Sequence, residues 1–315
     1  MHKHAIVVKC SPFHLVMSVM KIIIIDGRGG MAHICACLCV IYTRAIHTEN
    51  TMYQFVATDL DGTLLNEDKT IDDLTAQTFQ ALAAKGLTLI VATGRHHVEA
   101  KHVRSRLGTG TFLAASNGAR IYAPDDSLIF SADIEPELVR ALAQEEFTAG
   151  TRLCLYHDDG CMISLDAPEF SERHTEFTYL RRDLPLIDGE GISKMLFFGD
   201  SHARLRQLAA RMQERFPGKI ATTFADLHCL EVMAADVSKG SAIRYLASRL
   251  NLKLEHGIAF GDSLNDVEML KTVGTPFLMG NANEQAAKQL PGIDRVASNE
   301  ESGVARQLRH LFRMV

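Results

Sequence analysis

Two aspartates two residues apart, Asp59 and Asp61, follow directly on the apolar run Phe55-Val56-Ala57-Thr58, and Gly62-Thr63 closes the segment. Residues at i and i+2 share a face in a strand, so a strand end lets both carboxylates point into one crevice. Such a pair can supply a nucleophile and a general acid or base, or oxygen ligands for a hard cation. Asp-Gly is also a common turn signal, so the pair alone could be a solvated turn. Ala92-Thr93-Gly94-Arg95, Ser238-Lys239-Gly240 and Gly261-Asp262-Ser263-Leu264-Asn265-Asp266 add a hydroxyl, an ammonium group and further carboxylates. Taken by itself, Ser238-Lys239-Gly240 is a simple helix cap.

Positioning these groups is the work of regular elements. After the first strand, residues 72–85 read as a helix ended by Gly86. Further apolar runs follow at 87–92, 112–115 and 258–260, alternating with helices, which indicates a parallel sheet covered on both faces. Each run leads at once into a polar segment, at 59–63, 93–95, 116–118 and 261–266. Ligands of open α/β sheets bind outside the carboxyl ends of the strands, so these segments should converge. Between Asn117 and Lys239 the pattern changes: candidate strands at 152–157, 161–165, 194–198 and 229–233 mix with helices at 135–147 and 202–216. The expectation is an α/β fold, with a Rossmann-like parallel sheet core over 52–133 and 236–315 and an inserted α/β cap domain over 134–235.

At these residues the sequence resembles the haloacid dehalogenase superfamily of phosphotransferases, whose four motifs recur in order at Asp59–Thr63, Thr93, Lys239 and 261–266. The resemblance runs from Met52 to the C-terminus. The insert after Ser116-Asn117-Gly118-Ala119 is similar to the Cof-type subgroup with a C2 cap, and 92–98, 116–120 and 229–240 are similar to bacterial sugar-phosphate and pyridoxal-phosphate phosphatases. It implies magnesium-dependent hydrolysis of small phosphate monoesters. Asp59 would attack as nucleophile and become an aspartyl phosphate, dividing one difficult displacement into two. Asp61 would act as general acid toward the leaving alkoxide and then as general base toward water. Thr93 and Lys239 would bind and neutralise the phosphate. Mg2+ takes oxygen ligands, and the resemblance assigns it Asp59, Asp262 and the Asp61 carbonyl; Asp266 would either bind it or hold Lys239. Arg95, Asn117 and Asn265 are further candidate substrate contacts. His96 and His97 read as a solvated helix start, and 156–160 as a hairpin turn. Aspartate at 61, where pump-like relatives carry threonine, favours a phosphatase or mutase. A phosphomutase on the same fold is the alternative. A phospholigand-binding regulator would need a broken catalytic set, and every expected residue is present.

Composition bounds the partners. The 315 residues are 47% apolar and 23% charged, ordinary for a soluble globular protein. A formal net charge of −5 and the lack of a Lys/Arg block argue against nucleic acid and anionic membrane, leaving a small phosphorylated molecule as the partner of a monomer or weak homodimer. Seven cysteines, with Cys154, Cys161 and Cys229 scattered singly through the body, suggest a reducing, cytoplasmic setting. Residues 1–51 differ from the rest, holding Cys10, Cys35, Cys37 and Cys39 and five of fourteen histidines. Their apolar stretches fall short of the roughly 20 residues of a membrane span, and His33, Cys35, Cys37 and Cys39 match no zinc-knuckle spacing. The expectation is a non-native or disordered leader, with Met52 the natural start.

Overall fold

The computed structural model describes residues 53–108, 110–164, 179–182 and 187–314. The expectations for 1–51 lie outside them. Among the described residues no helix is long and apolar enough to cross a membrane.

The first half of the core runs β1 (Phe55–Thr58), α1 (Asp73–Ala84), β2 (Thr88–Ala92), α2 (His97–Arg106), β3 (Thr111–Ala115), β4 (Arg120–Tyr122) and β5 (Leu128–Ser131). Then come α3 (Pro136–Leu142), α4 (Glu145–Thr148), β6 (Arg152–His157), β7 (Gly160–Ser164), β8 (Tyr179–Arg182), β9 (Ile192–Phe198), α5 (His202–Arg215), β10 (Ile220–Asp226) and β11 (Cys229–Ala234). The chain returns through α6 (Lys239–Leu250), β12 (Gly257–Gly261), α7 (Val267–Thr272), β13 (Thr275–Leu278), α8 (Glu284–Gln289) and α9 (Gly303–Leu311).

The core sheet has the order β13-β12-β1-β2-β3-β4-β5, with parallel pairing from β13 to β3. All four residues of β1 and all five of β12 are buried, as central parallel strands require. Helix α1 begins where Asp72 accepts the Thr75 N–H at 2.8 Å, and Gly86 follows its end at φ +85°. After β3, Ser116 and Asn117 take φ of +49° and +56° and turn the chain back, so β4 and β5 form an antiparallel edge absent from the sequence expectation. Gly118 in that turn is pressed on the start of α6, where a Cβ would meet the Ser238 carbonyl at 2.6 Å. This close approach carries Lys239 to the end of the core sheet.

The inserted sheet has the order β10-β11-β9-β6-β7-β8 and is antiparallel except for β7 with β8. Its strands alternate: Leu153, Leu155, Met195, Phe197, Leu230 and Val232 pack with α3 and α5 in one apolar cluster. The intervening Tyr156, Lys194, Leu196, Phe198, Cys229 and Glu231 line a cavity together with core residues. The single helix expected at 135–147 is two short ones, α3 and α4. Cys154 and Cys161 do not stand singly, since they are disulfide-bonded across the β6–β7 hairpin, with the Cys229 thiol buried in the same apolar cluster. Adjacent antiparallel strands bring diagonal positions together, which linear spacing does not reveal.

Candidate functional site

The ends of β1 and β12, adjacent in the sheet, bring together the two acidic segments. Lys239, the first residue of α6, donates from Nζ to Asp59 Oδ1 and Asp266 Oδ1, both at 2.6 Å. All three side chains are buried. Burial opposes the Lys239 charge, but the Asp266 and Asp59 carboxylates outweigh it and raise its pKa, so the lysine stays an ammonium group. Asp266 uses its other oxygen to accept the Asp262 and Ser263 N–H groups at 2.9 Å, fixing the loop after β12. Thr63 Oγ1 donates to Asp262 Oδ1 at 2.8 Å. Gly62, at φ +74°, leaves room for that carboxylate; a Cβ there would lie 2.6 Å from Asp262 Oδ2.

Asp59, Asp262 and Asp266 can each present an oxygen so that all three lie within 4.8 Å of one another. Burial raises the Asp59 pKa well above the usual range, opposed by Lys239 and reinforced by Asp266 and Asp262. Burial, then the Asp266 charge, push Asp262 up to about 7. Three crowded carboxylates share one ammonium group, and an all-oxygen donor set with excess negative charge fits a hard divalent cation.

Asp61 points elsewhere. Arg95 grips it bidentately, Nε to Oδ2 and Nη2 to Oδ1 at 2.6 Å, and Lys69 Nζ lies 3.1 Å from Oδ1. Burial alone would raise its pKa, but the Arg95 hydrogen bonds and charge, with Lys69, lower it. Thr93 is buried, lines the cavity, and its Oγ1 accepts the Arg95 N–H at 3.1 Å. Asn117 donates its N–H to the Thr93 carbonyl at 2.9 Å, and Asn265 Nδ2 donates to Asn117 Oδ1 at 3.2 Å. Residues from the four polar segments and from Lys239 thus gather at one end of the core sheet.

Sequence reasoning missed the inserted sheet's contribution. Lys194 Nζ donates to Glu231 Oε1 and to the Gly94 carbonyl, both at 2.5 Å, and Asn117 Nδ2 donates to Glu231 Oε2 at 2.7 Å. The available signal was one charged residue of each sign inside otherwise apolar strand runs. His96 is also corrected. It is 2% exposed, covered by the β6–β7 hairpin rather than by solvent, and donates from Nε2 to the His157 carbonyl at 2.9 Å. Its Nδ1 accepts the Val98 N–H at 3.3 Å and caps α2. His97 is partly covered too, its ring 4.9 Å from that of Tyr122.

A parallel α/β core with a buried carboxylate held by lysine at a strand end, beside an inserted α/β layer, is an arrangement suited to a hydrolytic enzyme. The model of the haloacid dehalogenase-like hydrolases matches residues 56–308. The chain belongs to that family and is an enzyme, a phosphatase. An HMP-PP phosphatase of Yersinia pseudotuberculosis is 33% identical over 261 residues, 82% of this chain and 95% of the relative. A Haemophilus influenzae relative is 34% identical over 268 residues, covering 84% and 98%. Among solved structures, a Thermotoga maritima protein superposes with a TM-score of 0.68 at 28% identity, covering 82% of this chain and 97% of that one. A sugar phosphatase of haloacid dehalogenase subclass IIB shares the fold, with a TM-score of 0.71 at 21% identity over 83% of this chain and all of the other.

Proposed function

We propose that the chain hydrolyses small phosphate monoesters through a phosphorylated Asp59, with Mg2+ held by the carboxylates of Asp59 and Asp262. The observation that carries this reading is the buried Lys239 ammonium group shared by Asp59 and Asp266 at 2.6 Å, beside Asp262. Haloacid dehalogenase-like hydrolases generally use Mg2+, and the all-oxygen cluster here suits it. When bound, the ion supplies positive charge against the phosphate oxygens.

The chain's own residues do the rest. Asp59 attacks phosphorus and forms the acyl phosphate while the ester oxygen departs. Lys239, a fixed cation in a dry site, offsets the charge of nucleophile and phosphate. Thr93 Oγ1 donates a hydrogen bond to a phosphate oxygen. Asp61 protonates the departing alkoxide and then takes a proton from the water that attacks the acyl phosphate. Arg95 holds Asp61 as a carboxylate at rest, the state suited to the second role. An arriving phosphate dianion competes for the guanidinium and frees Asp61 to carry a proton in the first. Asp266 spends both oxygens on Lys239 and the Asp262 loop, which supports a positioning role over direct metal binding. The inserted sheet acts as a cap that closes the cavity and excludes water. Sugar phosphates and pyridoxal phosphate are the substrate classes we favour, on the 229–240 segment that contributes Cys229 and Glu231 to the cavity.

Asp59→Asn tests the nucleophile. Phosphate release with Mg2+ should fall to background while the thermal melting curve is retained. Residual metal-dependent hydrolysis above about one per cent of wild type, a barrier change under about 3 kcal/mol, would refute the assignment.

A further inference from the structure

We propose that the Lys194–Glu231 pair determines which leaving group the enzyme accepts, and that it selects an uncharged leaving group bearing hydroxyls. The inference rests on the phosphatase reading above and specifies the chemistry at the far wall of that site. Both side chains lie on the cavity-lining face of the inserted sheet, yet each is 1% exposed. Core loops complete the pair: the Gly94 carbonyl takes a hydrogen bond from Lys194, and the Asn117 amide gives one to Glu231. Gly94 directly follows Thr93, and a Cβ on it would stand 3.2 Å from Asn117 Oδ1 and 3.3 Å from Glu231 Oε1. The pair therefore packs against the loop assigned to the phosphate.

This wall is polar without net charge. A second phosphate or a carboxylate on the leaving group would meet Glu231, and the Lys194 ammonium group is committed to Glu231, Gly94 and the Tyr156 ring, 4.6 Å away. Burying such an anion without a free cation is strongly unfavourable. Of the other cations that line the cavity, Arg95 is assigned above to Asp61 and the reacting phosphate, Lys69 pairs with Asp61, and Arg106 reaches Asp73 at 3.4 Å. A hydroxyl, by contrast, can donate to a remaining lone pair of the Glu231 carboxylate without adding charge. Asn265 Oδ1 is buried beside this network with no hydrogen-bond partner among the described residues, and offers an acceptor to a further hydroxyl.

The test compares full-length wild type with Glu231→Gln, which keeps the shape and removes the charge, and with Lys194→Met/Glu231→Met, which leaves neither ion buried alone. Phosphate release with Mg2+ is followed from a hexose monophosphate and from phenyl phosphate, whose leaving group has no hydroxyl beyond the ester oxygen. Circular dichroism verifies folding, and if one variant fails to fold the other carries the comparison. The ratio of kcat/KM for the hexose ester to that for phenyl phosphate should fall by roughly 30-fold, mainly through the hexose KM, the range expected when a site built for hydroxyls loses its partner group. A merely structural role lowers both substrates together, and a ratio unchanged within about threefold overturns the proposal. If wild type hydrolyses neither ester, the proposed hydrolysis of small phosphate monoesters fails instead. Calorimetry then decides the present inference: hexose monophosphate should bind wild type more tightly than inorganic phosphate does, and equal preference in wild type and Glu231→Gln overturns it.

Discussion

Lys239 meets Asp59 on one side and Asp266 on the other, and only the first of these is assigned to bond making. Asp266 acts through its neighbours: one oxygen aims the ammonium group, and the other gathers the Asp262 and Ser263 amides so that the Asp262 carboxylate faces Asp59. Replacing it with asparagine keeps the size and weakens both functions. The Mg2+ concentration for half-maximal activity should rise about 10–100-fold in Asp266→Asn, the usual penalty for losing a group that orients a metal ligand. An activity titration with Mg2+ checks this, and an unchanged midpoint would mean that the loop holds Asp262 without help. That these residues meet was legible because their types and order match the motifs of the family. Lys194 and Glu231 were not, because nothing in either strand states which face meets the core, and each is explained only by the other and by loops far away in sequence.

Helix α2 and the β6–β7 hairpin are joined by one imidazole. His96 Nε2 donates to the His157 carbonyl while Nδ1 accepts from Val98, so the neutral tautomer satisfies both partners. A second proton would face the Val98 N–H. Burial above all lowers the His96 pKa from 6.5 to about 4, against the His157 hydrogen bond and with help from His97. The native state therefore binds fewer protons than the unfolded chain between these values. The contribution to stability is complete above about pH 6.5 and is lost as pH falls toward 4, by about 3 kcal/mol in all. His96→Asn retains a cap acceptor and cannot titrate. Urea unfolding at a series of pH values should give a shallower acid slope for this variant than for wild type; parallel slopes would exclude His96 as the cause. At this scale the parallel strands were readable, since continuous apolar runs alternate with helices. The antiparallel edge was not, because β4 has only three residues and its direction depends on three successive positive-φ residues before it, Ser116, Asn117 and Gly118. Nor could the sequence reveal that His96 would be covered by a hairpin 61 residues further on.

Across the whole molecule the two sheets are tied by Arg120. Buried at the start of β4, it reaches Asp133 at 2.5 Å, Asp158 of the β6–β7 hairpin at 2.7 Å, and the Ala119 and Ala132 carbonyls. Arg120→Met removes these bonds, while the half-exposed aspartates return to water, so the loss is local rather than global. Amide exchange near 132–134 and 158 should accelerate at least about tenfold, equivalent to about 1.4 kcal/mol of local stability. Unchanged protection would show that the other contacts, from Lys194, Asn117 and His96, join the sheets without it. The strand order has a consequence for synthesis. Strand β1 is made first, but its neighbour β12 arrives about 200 residues later, after the whole inserted sheet. Until then one edge of β1 lacks its partner, open to wrong pairing. Asp59 meanwhile has neither Lys239 nor Asp262 beside it, so under the proposed mechanism its carboxylate gains its partners only once β12 and the loop after it have been made.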